Sequence, residues 1–366
     1  MRLVPLSQLV PGTTLAQDIH VPGDAGPPLL RRGIALDARY VKALAGKGVT
    51  SVWVEDALSE GFQPARALTP ETERRTVAAV GNALSSASDA LAAGRGLSPK
   101  AVEELSDVAL LIADEVRGAP DVALHLTDMM GADKYLLQHI IDVTALGTVL
   151  AARLFRQNGW VDYDGRRRRD SVDPRLAKIA LGLLLHDIGK LAIPPEILQK
   201  EGPLDEREWA VMRTHPTAGT KLLGDNVSFL IRAVVKQHHE RWDGTGYPDN
   251  LAGDQIHQFA RIAAVADVYD AVTSERIYKP AKKPHEGVTI VEQGDGTDFD
   301  PEVVAIFSRV VMPFPPGSEV TLADGREGLV VDVDPRNPYE PTVRVLTDTG
   351  RVEEIKRALL AVPVTV

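Results

Sequence analysis

The chain has 366 residues, 44% hydrophobic and 25% charged, a globular composition long enough for two or three domains. Against 41 Lys and Arg stand 51 Asp and Glu, a net charge of −10, which argues against a general nucleic-acid or membrane-surface binder, since those need a basic face. The absence of Cys excludes disulfides, Cys-ligated zinc and iron–sulfur clusters, and fits an expected cytoplasmic location. Pro5 and Pro11 interrupt the N-terminal apolar residues, so no signal peptide is expected. No stretch nears the roughly 18 apolar residues of a membrane span.

Residues 1–66 read as a small α/β module. Leu29-Leu30 and Ile34-Ala35-Leu36 suggest short strands around Arg32-Gly33, Tyr40 to Ala45 a helix, and Val52-Trp53-Val54 a strand. Residues 67–120 are a helical connector. Val77, Val80, Leu84 and Leu91 keep helical spacing up to Gly94-Arg95-Gly96, and Ser98-Pro99 starts a second helix with Leu105, Val108, Ile112 and Val116 as its stripe. The pair fits a connector or a dimerisation stalk. Residues 121–312 read as helices, with Asp173-Pro174 opening one and Asp205 with Glu208 forming a capping box on another. Residues 313–366 alternate β-rich runs with Asp324-Gly325 and Asp348-Thr-Gly350, a compact β domain. The fold expected is mainly α, flanked by a small N-terminal α/β module and a small C-terminal β domain.

The chemistry is concentrated in the helical middle. His186-Asp187 follows the apolar run 181–185. Burying an imidazole and a carboxylate is costly without partners. A metal ion would supply one, Asp giving a hard oxygen and His a neutral nitrogen; a structural His–Asp hydrogen bond is the alternative for this pair alone. His215 precedes Pro216 and can project from a helix start. Adjacent helical residues diverge by about 100°, so His238 and His239 reach one ion only where their helix ends, and Asp243-Gly244-Thr245-Gly246 marks that end. Asp267 and His139 each sit on an otherwise apolar helix. Together these groups point to a metal cluster.

HDIGK (186–190), HPTAG (215–219), HHERWDGTGYP (238–248), ARIAAVADVYDAVTSERIYK (260–279) and GTDFDP (296–301) resemble, in order, the motifs of the HD-GYP domain over residues 121–312. The N-terminal residues are similar to a small module that often precedes such domains. The resemblance implies a helical HD-type bundle and a metal-dependent phosphodiesterase of cyclic di-GMP, giving pGpG and in some members GMP. Cyclic GMP-AMP as substrate, a catalytically weak cyclic-dinucleotide receptor and a different HD hydrolase are the alternatives. The implied metal ligands are His139, His186, Asp187, His215, His238, His239 and Asp267, holding two divalent ions, Fe or Mn, bridged by Asp187. Asp187 and Lys190 are the implied catalytic residues. Lys190, Tyr247, Arg276 and Lys279 are implied to bind substrate, Arg276 and Lys279 through phosphate.

Some members carry a Glu four residues before the first His ligand and hold a third metal; here that position is Tyr135, so two ions are expected. His257 is expected to be an exposed loop residue, His125 a core or interface residue, and Arg166 to Arg169 a solvated loop or a cationic rim. Partners implied are the cyclic dinucleotide and, through the flanking modules, a second copy or signalling proteins; no nucleic acid polymer or membrane is expected.

Overall fold

The computed structural model describes residues 1–19, 28–47, 49, 51–63, 67–118, 135–162, 164–225, 227–274 and 281–361. The N-terminal unit is an antiparallel sheet of β1 (Arg2–Pro5), β2 (Thr14–Leu15) and β3 (Ser51–Glu55), with β3 central. Val4 faces Val52, and Leu15 faces Val54. Helix α1 (Ala38–Ala45) starts where the Asp37 carboxylate accepts the Arg39 and Tyr40 N–H groups. The unit has its own core, with Val4, Leu15, Leu36, Leu44, Val52 and Val54 buried. Leu30 and Ala35 make single bridges to Ile19 and Thr14 in place of the expected short strands.

The middle of the chain is helical. Helices α2 (Pro70–Ala92) and α3 (Pro99–Gly118) precede α4 (Tyr135–Gln157), α5 (Val172–Leu185), α6 (Pro195–Leu198), α7 (Glu206–Met212), α8 (His215–Leu223), α9 (Phe229–Gln237), α10 (Gln258–Thr273), α11 (Pro284–Gln293) and α12 (Pro301–Val310). A 3-10 turn spans Ile188–Ala192. One apolar core runs from Leu68 to Val311, and α2 and α3 contribute Val80, Leu105 and Ile112 to it. The Leu97 N–H donates to Leu222 O (2.8 Å), tying the α2–α3 turn to the end of α8. The α2–α3 pair is therefore built into the helical body rather than standing off it.

Two local readings change. Asp173 lies inside the first turn of α5, whose N-cap is Ser171 in a left-handed conformation without a side-chain cap bond; its charge still favours the positive end of the helix. The four-Arg run enters a ribbon of β4 (Trp160–Val161) and β5 (Arg167–Arg168). Arg167 pairs with Glu302 (3.0 Å) and Arg168 with Asp162 (2.8 Å), so carboxylates already neutralise these two.

The C-terminal sheet is an antiparallel meander of β6 (Glu319–Thr321), β7 (Glu327–Asp332), β8 (Thr342–Leu346) and β9 (Val352–Ile355). A bridge between Leu322 and Leu360 returns the chain to β6 around a separate core of Val320, Val330, Val343 and Val345. The two flanking units touch: Arg2 pairs with Glu319, and Arg344 Nη1 donates to Glu60 O (2.8 Å). Among the described residues no helix is long and apolar enough to cross a membrane.

Candidate metal centre

Five helices converge here, four of them near an end. His139 lies in α4; His186 and Asp187 follow α5; His215 opens α8; His238 and His239 follow α9; Asp267 lies in α10. Absent side chains allow this convergence. A Cβ on Gly182 of α5 would stand 2.9 Å from Val234 of α9. One on Gly189 would stand 2.5 Å from the Gly219 backbone nitrogen, so the turn after HD rests directly on α8. The Gly residues of HDIGK and HPTAG thus face each other and hold Asp187 beside His215. Burial is nearly complete for six of the seven: His139, His186, Asp187, His215 and His238 are 1–2% exposed and Asp267 7%, while the His239 side chain keeps 24% of its surface exposed.

The ligand atoms form two groups that share Asp187. One contains His139, His186 and Asp187; the other contains Asp187, His215, His238 and His239, with atoms within 4.8 Å of one another in each group. His139 Nε2 lies 3.4 Å from Asp187 Oδ2 and 3.3 Å from Asp267 Oδ1. Asp267 Oδ2 also approaches His239 Nδ1 at 3.8 Å. All seven sequence-derived ligands therefore meet in one place.

The outer nitrogens fix the tautomers. His186 Nδ1 donates to Leu183 O (2.6 Å), His215 Nδ1 to Met212 O (2.8 Å) and His238 Nδ1 to Val235 O (3.1 Å). His139 Nδ1 donates to Asp270 Oδ2 at 2.6 Å. With the proton on Nδ1, each Nε2 keeps its lone pair turned inward. His186 and His139 then face each other Nε2 to Nε2 at 3.4 Å, and His215 and His238 at 3.3 Å. Paired lone pairs repel unless a cation lies among them.

The electrostatics agree. Burial lowers the pKa of His215 and, helped by neighbouring imidazoles, holds that of His238 well below the usual value; burial brings His239 down to about 3. These rings are neutral at pH 7, as metal ligands must be. Burial opposes ionisation of Asp187, but Lys190, His186 and His139 outweigh it and keep the carboxylate charged. Burial also opposes charge on His139, yet Asp187, Asp267 and Asp270 raise its pKa well above normal. The site thus favours positive charge among these atoms. Asp187 Oδ1 is buried with no hydrogen-bond donor, an arrangement that costs free energy unless a cation completes it. The residues fit divalent metal.

Lys190 Nζ lies 2.5 Å from Asp187 Oδ2. The Tyr247 ring stacks on His239, with centroids 4.8 Å apart. Burial, Asp267 and Asp187 push its phenol up, so it stays protonated. Arg276, Lys279, His125 and the Tyr135 side chain lie outside the described residues.

Three features go beyond the sequence reading. Asp270, fully buried, orients His139 and accepts Ser274 Oγ at 2.8 Å; its i, i+3 spacing from Asp267 on an apolar helix was the available signal. Glu240 accepts the Asp249 N–H (2.7 Å) and the Leu251 N–H (3.0 Å) and so closes the loop that carries Tyr247. Within that loop a Cβ on Gly246 would stand 2.5 Å from Glu240 Cα. His257 is half-buried rather than an exposed loop residue: it is the N-cap of α10, its Nδ1 accepting the Phe259 N–H at 3.2 Å.

The bundle gathers an H…HD…H…HH…D set that could hold metal ions. Residues 148–303 match the HD domain family. The HD-GYP resemblance of the motifs agrees with the relatives. A protein named cyclic di-GMP phosphodiesterase from Pseudomonas aeruginosa is 38% identical over 242 residues, 66% of this chain and 55% of that protein. A 3'3'-cGAMP-specific phosphodiesterase from Vibrio cholerae is 40% identical over 125 residues, 33% of this chain and 24% of that protein. The chain thus spans about half the length of the first and a quarter of the second. A solved HDG"Y"P protein from Bdellovibrio bacteriovorus aligns at 15% identity and TM-score 0.49, over 83% of this chain and 97% of that one.

Proposed function

We propose that the chain is a metal-dependent phosphodiesterase that hydrolyses cyclic di-GMP to pGpG. The observation that carries this reading is the placement of Asp187 between two groups of inward-facing imidazoles. Two divalent ions held there, Fe or Mn on the mixed His and carboxylate donor set, would supply a nucleophile at neutral pH and neutralise charge at phosphorus. His139, His186, Asp187 and Asp267 would hold one, and Asp187, His215, His238 and His239 the other. Lys190, already beside Asp187, is placed to donate a hydrogen bond or proton to the departing 3′ oxygen. Tyr247 contacts the substrate from above His239. Arg276 and Lys279 are assigned to the second phosphate on the motif alone.

The test is hydrolysis of cyclic di-GMP by protein loaded with Mn or reduced Fe, beside Asp187→Ala. The variant loses the carboxylate common to both groups and should lose turnover. Near wild-type turnover in it would refute the shared-ligand assignment. The relatives named cGAMP-specific support a second reading, cyclic GMP-AMP, so both dinucleotides belong in the assay.

A further inference from the structure

Beside the candidate metal centre, next to the motif residue Tyr247, lie two side chains, Trp209 and Arg213, to which neither the motif nor the metal chemistry gives a task. Trp209 is 45% exposed on the last turn of α7, an unusual position for a large aromatic group. Arg213 follows it by one helical turn, at the C-cap of α7 and two residues before His215. The Arg213 guanidinium carbon lies 5.9 Å from the Trp209 ring centre and 5.7 Å from that of Tyr247. Tyr247 in turn stacks on His239. Aromatic, guanidinium and aromatic groups thus form a continuous ledge ending on a metal ligand.

Among the described residues the charge of Arg213 is uncommitted. Neighbouring guanidiniums are paired: Arg241 with Asp298, and Arg261 with Asp300 at 2.7 Å. No described carboxylate pairs with Arg213. A guanidinium held over an aromatic ring by a cation–π contact keeps N–H donors free for a ligand. Two parallel donors match the O6 and N7 acceptors on the edge of guanine. Adenine presents a donor at N6 and loses one of the two bonds. The exposed Trp209 ring supplies a π-face on which a base can stack.

We propose that Trp209, Arg213 and Tyr247 form a nucleobase ledge, on which one guanine of the substrate stacks while Arg213 reads its O6/N7 edge. This rests on the cyclic-dinucleotide reading above and deepens it: Arg213 sets guanine over adenine, and Trp209 adds affinity without discrimination.

The test compares wild type, Arg213→Ala and Trp209→Ala, all loaded with Mn. Calorimetric titration reads affinity for cyclic di-GMP and cyclic di-AMP, and hydrolysis of the base-free diester bis(p-nitrophenyl) phosphate reads the metal centre alone. Arg213→Ala should bind cyclic di-GMP about 10–100-fold more weakly, the worth of one bidentate base contact, and lose preference over cyclic di-AMP. Trp209→Ala should weaken both dinucleotides alike. Metal content and base-free hydrolysis should not change in either variant. Equal affinity of wild type and Arg213→Ala for cyclic di-GMP overturns the ledge. So does a parallel fall in base-free hydrolysis, which would make Arg213 a phosphate contact. A wild type that binds cyclic di-GMP without cutting it overturns the phosphodiesterase reading and leaves the ledge standing. A wild type that does not bind it overturns both.

Discussion

Asp270 offers the sharpest test of how the metal centre is held. Its carboxylate touches no inward-facing lone pair; it acts through His139, whose Nδ1 it accepts at 2.6 Å in a fully buried setting. That bond selects the tautomer with Nε2 free and increases its basicity. Asp270→Ala removes a charge-assisted hydrogen bond of about 1.5–3 kcal/mol. At about 1.4 kcal/mol per tenfold, the ion beside His139 should bind about 10–100-fold more weakly. Asp270→Asn keeps an acceptor of similar shape but loses the charge, so it should fall between alanine and wild type. Competition with chelators of graded strength, followed by elemental analysis, measures the affinity. Excess Mn should restore much of the activity in Asp270→Asn. Retention of both ions by Asp270→Ala as tightly as by wild type, in a protein that still melts cooperatively, would refute the argument that the carboxylate prepares His139.

Elsewhere the same geometry gives expected outcomes. Elemental analysis of the anaerobically prepared protein should find about two ions per chain, following the two ligand groups joined at Asp187. Glu240→Gln removes one of two carboxylate acceptors and leaves the Asp249 or Leu251 N–H unsatisfied, about 1–3 kcal/mol; Tyr247 should lose its position, with substrate affinity falling in titrations and metal content unchanged. Gly189→Ala forces a Cβ against the Gly219 backbone at 2.5 Å, where overpacking typically costs about 1–3 kcal/mol; a lowered Tm with impaired metal uptake is expected. Burial brings the His257 pKa down to about 4, against about 6.5 when unfolded. The unfolded chain therefore binds the extra proton between those values, and this contribution to stability, intact above pH 6.5, is lost as pH falls toward 4. The loss is about 2 kcal/mol at pH 5. Urea midpoints of His257→Asn, which keeps a capping oxygen, should fall less between pH 7 and pH 5 than those of wild type.

The candidate metal ligands were legible because each breaks a local rule. An ionisable group on an apolar helix, or two adjacent His at a helix end, has no inexpensive place in a fold, and the costs at 139, 186–187, 215, 238–239 and 267 are resolved together. Asp270 breaks the same rule, but its partner is an imidazole nitrogen 131 residues away in sequence, and spacing along one helix does not say which face meets another element. Glu240 was hidden for a different reason. Its partners are backbone N–H groups of a loop, which every residue carries, so no pattern of side chains could point to them. His257 followed the same logic in reverse: its place before α10 suggested an exposed loop, whereas cap geometry and the packing of Phe229 and Phe259 around the ring decide its burial. Isolated costs in a sequence mark where chemistry is needed, while the residues that orient it act through contacts that only the folded chain creates. That asymmetry explains why Trp209 and Arg213 left no motif: neither is costly where it stands, and the ledge proposed for them with Tyr247 depends on an α7 end meeting a loop more than thirty residues further along the chain.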